Sequence, residues 1–128
     1  MPLKTHHGSC DCGKVKFQVG LDLTSGTFKC NCKICSKGRF WGIGAKTENF
    51  KLLSGEADLT QYGVKVIHHF CKHCGTKLFG RSADNSGMAI SLAVLDDLTP
   101  EEMTMATIKY YDGINDNWKE APKFTAHL

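Results

Sequence analysis

Three cysteines lie within six residues of this chain, at positions 30, 32 and 35. Thiolates so close together in sequence can face a single metal ion, and a zinc ion held by three protein ligands keeps one coordination position open for water or a substrate. The four residues that follow, Ser36 to Arg39, include two cations. We therefore predict an open zinc site formed by Cys30, Cys32 and Cys35.

The other four cysteines form two close pairs, which suits a closed zinc site. Such a site takes four thiolates, and the two pairs supply four, leaving the triple to itself. A glycine follows each pair, Gly13 and Gly75, where it would let the backbone turn and direct N–H groups toward sulfur. This site would tie the first strand to the middle of the chain and contribute directly to folding. Its predicted ligands are Cys10, Cys12, Cys71 and Cys74.

Other roles fit the seven cysteines less well. Disulfides are disfavoured because the number is odd, the N-terminus carries no export signal, and Cys-x-Cys pairs are awkward to bridge. Buried cysteines acting as small apolar side chains would not be expected to cluster at ligand spacing. An iron–sulfur cluster is a weaker alternative, since neither group has the spacing of the common ferredoxin motifs.

The composition predicts a single globular domain over residues 1–128. Apolar residues make up 41% of the chain and charged residues 23%, which is enough for one hydrophobic core. The net charge of +3 comes from interspersed acids and bases, which argues against an extended nucleic-acid-binding surface. No apolar leader or bilayer-spanning run is present, so we expect a soluble, cytoplasmic protein without a membrane partner.

Short segments of alternating apolar and polar residues must position the cysteines. The first predicted strand ends at Gly20, and the second leads into a loop that carries the cysteine triple. Thr99 is a plausible N-cap for a short helix, with Pro100 at its first position and Glu102 completing a capping box. The sum is a mainly β fold of antiparallel strands with little helix, held together by zinc. The predicted strands cover residues 15–19, 27–29, 40–45, 50–53, 64–70, 76–81, 88–92 and 105–111.

The paired histidines His68 and His69 precede the second cysteine pair. Successive side chains of an extended strand point to opposite faces, so at most one of the two could reach a given metal site. We do not assign either histidine as a zinc ligand.

Three motifs resemble one known family. They are the segment Gly8 to Phe17, the cysteine triple, and Phe70 to Gly75. These residues are similar to the glutathione-dependent formaldehyde-activating enzymes, a family that also includes centromere protein V. The resemblance implies several small coiled antiparallel sheets and two zinc ions per chain, one on each predicted cysteine group. It also implies a carbon–sulfur lyase that joins glutathione to formaldehyde to give S-hydroxymethylglutathione.

The chemistry of the triple can be argued without the family. Zinc bearing three thiolates is formally −1, which makes it a mild Lewis acid and favours activating a thiol over activating water. The hypothesis is that a thiol such as glutathione loses its proton there and attacks the carbonyl carbon of a small aldehyde. We predict that the cations near the triple attract the carboxylates of glutathione, and we assign no catalytic residue beyond the zinc site. These cations are Lys33, Lys37 and Arg39.

Two other functions remain open from the sequence. In the first, both zinc sites are structural and the domain is a non-catalytic interaction scaffold. In the second, the triple carries no metal and serves thiol redox chemistry, since cysteines of low pKa form disulfides readily. The sequence leaves the oligomeric state and the true thiol and aldehyde undetermined.

Overall fold

The computed structural model describes residues 3–128, and over that range the chain forms ten strands and two short α-helices. The prediction of a mainly β fold with little helix is confirmed. No helix within residues 3–128 is long and apolar enough to cross a membrane. The strands are β1 (Lys4–Ser9), β2 (Lys16–Leu21), β3 (Thr27–Cys30), β4 (Trp41–Ala45), β5 (Phe50–Ser54), β6 (Leu59–Tyr62), β7 (Val66–Cys71), β8 (Lys77–Ser82), β9 (Met88–Ser91) and β10 (Ile108–Tyr111), and the helices are α1 (Lys33–Gly38) and α2 (Pro100–Met105).

The smaller sheet has three antiparallel strands in the order β1-β2-β5. Its central strand buries alternate side chains, with Phe17 and Val19 fully inaccessible and Leu21 1% exposed. The strand therefore continues through Gly20, where the sequence predicted its end, because Leu21 still has a core position to fill.

The larger sheet has seven strands in the order β10-β3-β4-β9-β8-β7-β6. All neighbouring pairs are antiparallel except β10 and β3, which run parallel in a register that places Tyr111 beside Cys30. The strands thus divide into one small and one large sheet, and the parallel pair brings the C-terminal part of the chain to the cysteine triple.

A cluster of three phenylalanine rings joins the two sheets. Phe17 and Phe50 from the smaller sheet lie 5.3 Å apart between ring centroids, and Phe79 of β8 lies 4.7 Å from Phe50. Aromatic pairs at this separation contribute about 0.5–1.5 kcal/mol beyond the area they bury. The core of the protein therefore lies between the sheets.

One of the two helices was predicted from the sequence and the other was not. In α2 the predicted capping box is confirmed: the Glu102 backbone N–H donates to the Thr99 hydroxyl, and the Thr99 N–H donates to the Glu102 carboxylate, both at 3.1 Å. This helix extends to Met105, so the strand predicted from that residue begins later, at Ile108. Helix α1 occupies part of the segment predicted as a loop. The residue that follows it, Arg39, adopts the left-handed conformation with a φ of 50°.

Candidate metal centre and adjoining cavity

The four paired cysteines converge on one point between the two sheets. Cys10 and Cys12 lie in the connection from β1 to β2, Cys71 ends β7, and Cys74 lies in the turn to β8. Their sulfur atoms all lie within 4.8 Å of one another. The sulfur of Cys12 lies 3.6 Å from that of Cys10 and 3.7 Å from that of Cys71. Zn–S bonds of about 2.3 Å in a tetrahedron place sulfurs roughly 3.8 Å apart, so these residues fit a zinc ion.

The two halves of this group have the same local geometry. Gly13 and Gly75 both adopt a φ of 78°, in the left-handed region that favours glycine. The Gly13 N–H donates to the Cys10 carbonyl at 3.0 Å, and the Gly75 N–H donates to the Cys71 carbonyl at 2.8 Å. A β-carbon at either glycine would meet no atom within 4 Å, so the requirement is conformational and not one of space. The predicted role of both glycines in the turns is confirmed.

Two thiols of this group, those of Cys12 and Cys74, have pKa values shifted in opposite directions. The pKa of Cys74 is lowered to about 5, chiefly by the Thr76 hydroxyl, whose oxygen lies 3.2 Å from the sulfur. The Lys14 N–H lowers the pKa of Cys12, but burial and the neighbouring thiols outweigh it and raise that pKa to about 12. The neighbouring thiols thus oppose ionisation of Cys12, and a bound divalent cation would reverse that effect.

The cysteine triple is arranged more loosely. Within residues 3–128, the four-cysteine group is the one set of three or more potential ligand side chains whose ligand atoms all lie within 4.8 Å of one another. Cys30 ends β3, Cys32 immediately precedes α1, and Cys35 lies inside that helix. The Cys32 N–H donates to the Cys30 sulfur at 3.4 Å. The donor set suits zinc, and the sulfurs would have to move closer together to hold it.

Cys32 is the member of the triple that most readily ionises. Burial raises the pKa of Cys32, but the N–H groups of Cys35 and Ile34 and the adjacent thiols outweigh this and lower it. Burial raises the pKa of Cys30, and it raises that of Cys35 to about 12. A negative charge in the triple is therefore held mainly on the Cys32 sulfur.

The segment after β10 locks the triple in place, which sequence reasoning missed. The Asn31 side chain donates to the Asp112 carboxylate at 2.8 Å and accepts from the Ile114 N–H at 3.1 Å. Gly113 passes so close that a β-carbon there would lie 2.6 Å from the Cys30 sulfur. The one signal in the sequence for this contact was Asn31 itself, which lies between Cys30 and Cys32. Its side-chain amide can donate and accept hydrogen bonds at the same time.

An open cavity of about 680 Å³ adjoins the triple. Lys33 and Lys37 are four residues apart on α1 and both line it, as does Cys32, and its lining contains no carboxylate among the described residues. Arg39, the third cation named from the sequence, lies at the end of α1 outside this lining. The remaining lining residues are Ile34, Gly38 and Tyr62.

Residues of the larger sheet also lie near the triple. The ammonium of Lys77 in β8 lies 4.3 Å from the centroid of the Phe40 ring, and its positive charge acts to lower the pKa of Cys35. Burial lowers the pKa of Lys77 itself, while Cys35 and Cys32 oppose that shift. The sequence offered no signal for this lysine, because it reaches the triple only through the order of the strands.

The paired histidines occupy different environments. The ring of His69 is 7% exposed and stacks on Phe79 at 4.5 Å, whereas His68 stacks on Tyr62 at 5.0 Å. Burial is the main cause that lowers the pKa of both. Neither histidine belongs to the four-cysteine group.

Together these features define a mainly β protein with one cysteine centre fit for a metal and a second beside a basic cavity. The sequence model for the glutathione-dependent formaldehyde-activating enzyme matches residues 5–112, so the chain belongs to that family. The fold is also similar to the crystal structure of a Rhodobacter sphaeroides protein, with a TM-score of 0.70 and 21% sequence identity. That alignment covers 80% of this chain and 99% of the other.

Proposed function

We propose that this protein is a zinc-dependent enzyme of the carbon–sulfur lyase type that acts on a glutathione-like thiol and a small aldehyde. Glutathione and formaldehyde, with S-hydroxymethylglutathione as product, are the pair that family membership suggests. The observation that carries the proposal is the cavity that Cys32, Lys33 and Lys37 line together. In one cavity, the cysteine triple matches the sulfur of an acidic thiol and the two lysines match its carboxylates.

The two cysteine groups have different roles in this proposal. Cys10, Cys12, Cys71 and Cys74 hold a structural zinc, as their sulfur separations support. Cys30, Cys32 and Cys35 hold a second zinc, which when bound supplies a Lewis acid that favours the thiolate form of a substrate thiol. The cytoplasm is the proposed location, since glutathione is kept reduced there.

The chain's own residues bind and orient the substrates. Lys33 and Lys37 attract the carboxylates of the thiol, and α1 with Tyr62 encloses the space between them and Cys32. The thiol loses its proton to water, and its sulfur forms a bond to the aldehyde carbon while the carbonyl π pair moves to oxygen. Water then donates one proton to that oxygen, so that no net proton is gained or lost. Holding both reactants beside each other accounts for acceleration of a reaction that also proceeds unaided.

The test is the exchange rate between glutathione, formaldehyde and their adduct, followed by NMR on protein of known zinc content. Wild-type protein should accelerate exchange in proportion to its concentration, and Cys32→Ser should not. If neither protein accelerates exchange while the wild type holds two zinc ions tightly, the proposed reaction is wrong and the interaction scaffold is favoured.

The basic wall is tested separately by reversing one charge. Lys37→Glu should raise the KM for glutathione several-fold and leave kcat nearly unchanged, because it weakens binding of a remote carboxylate equally in ground and transition states. Lys51→Glu is the matched control, since Lys51 is exposed on β5 of the smaller sheet. Equal KM values for the two variants would remove Lys37 from substrate binding.

A further inference from the structure

Among the described residues that line the cavity, Tyr62 is the one that does not come from the segment Cys32 to Gly38. It ends β6, the edge strand of the larger sheet. Tyr62 is 42% exposed although its ring stacks on that of His68. The cavity therefore has an aromatic wall supplied by a different part of the fold from its basic wall.

Neighbouring rings hold Tyr62 in position. His68 lies directly across from it in the β6–β7 register and stacks on its ring, with centroids 5.0 Å apart and planes 25° apart. Phe70 tilts against it at 5.9 Å. The next residue, Gly63, has a φ of 112°, so the chain turns away immediately after the ring. His68 and Phe70 thus cover part of the Tyr62 ring, and its exposed part is available to a molecule in the cavity.

The size of the cavity indicates which substrate that molecule would be. Formaldehyde has two non-hydrogen atoms and is not much larger than water, which takes up about 30 Å³ in the liquid. A space of about 680 Å³ lies in the range of pockets that bind molecules of tripeptide size. The aldehyde alone would leave most of this space unfilled, so the walls of the cavity serve the thiol.

We propose that Tyr62 is a specificity-determining residue that packs against the peptide portion of an acidic, tripeptide-like thiol. The carboxylates of that thiol lie toward Lys33 and Lys37, its sulfur lies toward Cys32, and the Tyr62 ring contacts the stretch between them. This inference rests on the proposed function, and it adds a requirement for a peptide thiol over a small one. An aromatic ring suits this task because it offers a large rigid surface with few rotatable bonds.

The role makes different predictions for large and small thiols. Tyr62→Ala should raise the KM for glutathione roughly three- to tenfold, the effect of losing one aromatic contact. The KM for 2-mercaptoethanol should not change, because that thiol has no peptide portion to pack against the ring. Tyr62→Phe should behave as wild type, since it keeps the ring. A purely structural role for Tyr62 would instead alter the kinetics of both thiols together.

The deciding experiment is an NMR titration with S-methylglutathione, which has the peptide and carboxylates of glutathione but no free thiol to bind a metal. Zinc content and thermal stability are measured for each variant so that misfolding is recognised. The control is Leu53→Ala, which removes a similarly exposed apolar side chain, 46% accessible, from the smaller sheet. We expect wild type, Tyr62→Phe and Leu53→Ala to bind alike and Tyr62→Ala to bind three- to tenfold more weakly.

Equal affinity of Tyr62→Ala and wild type for S-methylglutathione overturns the inference, and so does a wild type that does not bind it. Adduct exchange is measured on the same samples. If adduct exchange is intact and the affinity for S-methylglutathione does not depend on Tyr62, the role of Tyr62 is refuted and the proposed reaction is not. Tyr62-dependent binding without exchange supports the peptide-binding wall and refutes the proposed reaction.

Discussion

Replacing Cys12 should abolish the proposed zinc cross-link between the two sheets and cause little other damage. Cys12 is the exposed member of the four-cysteine group, so Cys12→Ser leaves no cavity in the core. The substitution takes away one ligand of the proposed structural zinc. The loss of stability should therefore report the loss of the metal cross-link and not a packing defect.

The size of the effect follows from the length of chain that the metal closes. Cys12 and Cys71 are separated by 59 residues, and their sulfurs lie 3.7 Å apart. Cross-linking a loop of that length lowers the entropy of the unfolded chain by about 14 cal/mol/K, or about 4 kcal/mol at 25 °C. With a urea m-value of about 2 kcal/mol/M, the unfolding midpoint should fall by about 2 M. The melting temperature should fall by about 12–16 °C.

The assay is urea unfolding followed by circular dichroism, with zinc measured by elemental analysis. Cys12→Ser should lose one zinc equivalent and unfold at the lower midpoint. A strong chelator should lower the wild-type midpoint to nearly that of Cys12→Ser. Cys32→Ser is the control, because it removes a cysteine from the other group and should keep most of the stability. A wild-type midpoint in Cys12→Ser, or equal chelator shifts in both proteins, would refute a metal cross-link at this position.

Two other substitutions test the triple and the N-terminal strand. Gly113→Ala should release the zinc proposed at the triple and keep the zinc proposed at the four-cysteine group, because its β-carbon would lie 2.6 Å from the Cys30 sulfur. The control is Gly44→Ala, which should keep both zinc ions because no atom lies within 4 Å of the added carbon. Equal zinc contents in the two variants would contradict this prediction. Partial burial raises the pKa of Asp97, but hydrogen bonds from two histidines of β1 outweigh it and lower that pKa below 3.8. A carboxyl group whose pKa is lower in the folded state stabilises the fold fully at pH values above its unfolded-state pKa. This stabilisation is lost as the pH falls through its folded-state pKa. Asp97→Asn should therefore be less stable at pH 7 by about 1 kcal/mol, a figure reduced for screening because the carboxylate is 38% exposed, and denaturation curves should converge below pH 3.8.

The features predicted correctly from sequence depend on residues close together in the chain. The capping box of α2 needs Thr99 and Glu102, three positions apart, and both of its hydrogen bonds form. The turns after the two cysteine pairs need a left-handed residue, and Gly13 and Gly75 each supply it. Local geometry of this kind follows from residue type alone, so spacing is sufficient to predict it.

Strand β1 shows why other elements were missed. Its sequence Lys4–Ser9 is polar and has no apolar alternation, so nothing in it predicts a strand. The inward residue His6 is 2% exposed, and it is accommodated because its ring lies 3.1 Å from the Asp97 carboxylate. These residues are 91 positions apart. A buried polar side chain is tolerated when it has a partner, and no pattern within the strand reveals a partner so distant.

The same reasoning explains how much of the candidate site was visible. The cysteines and lysines of the segment 30–37 were predicted from residue type and spacing, and Cys32, Lys33 and Lys37 line one cavity. The aromatic wall and the lock on Asn31 come from β6 and from the turn after β10, two segments without a recognisable motif. Within that turn, the ring of Trp118 packs on Tyr111, with centroids 5.9 Å apart. The parallel pairing of β10 with β3 makes it part of the site. Sequence therefore identifies the groups that we propose to react, whereas the groups that would select the substrate and hold the cysteines in place depend on strand order.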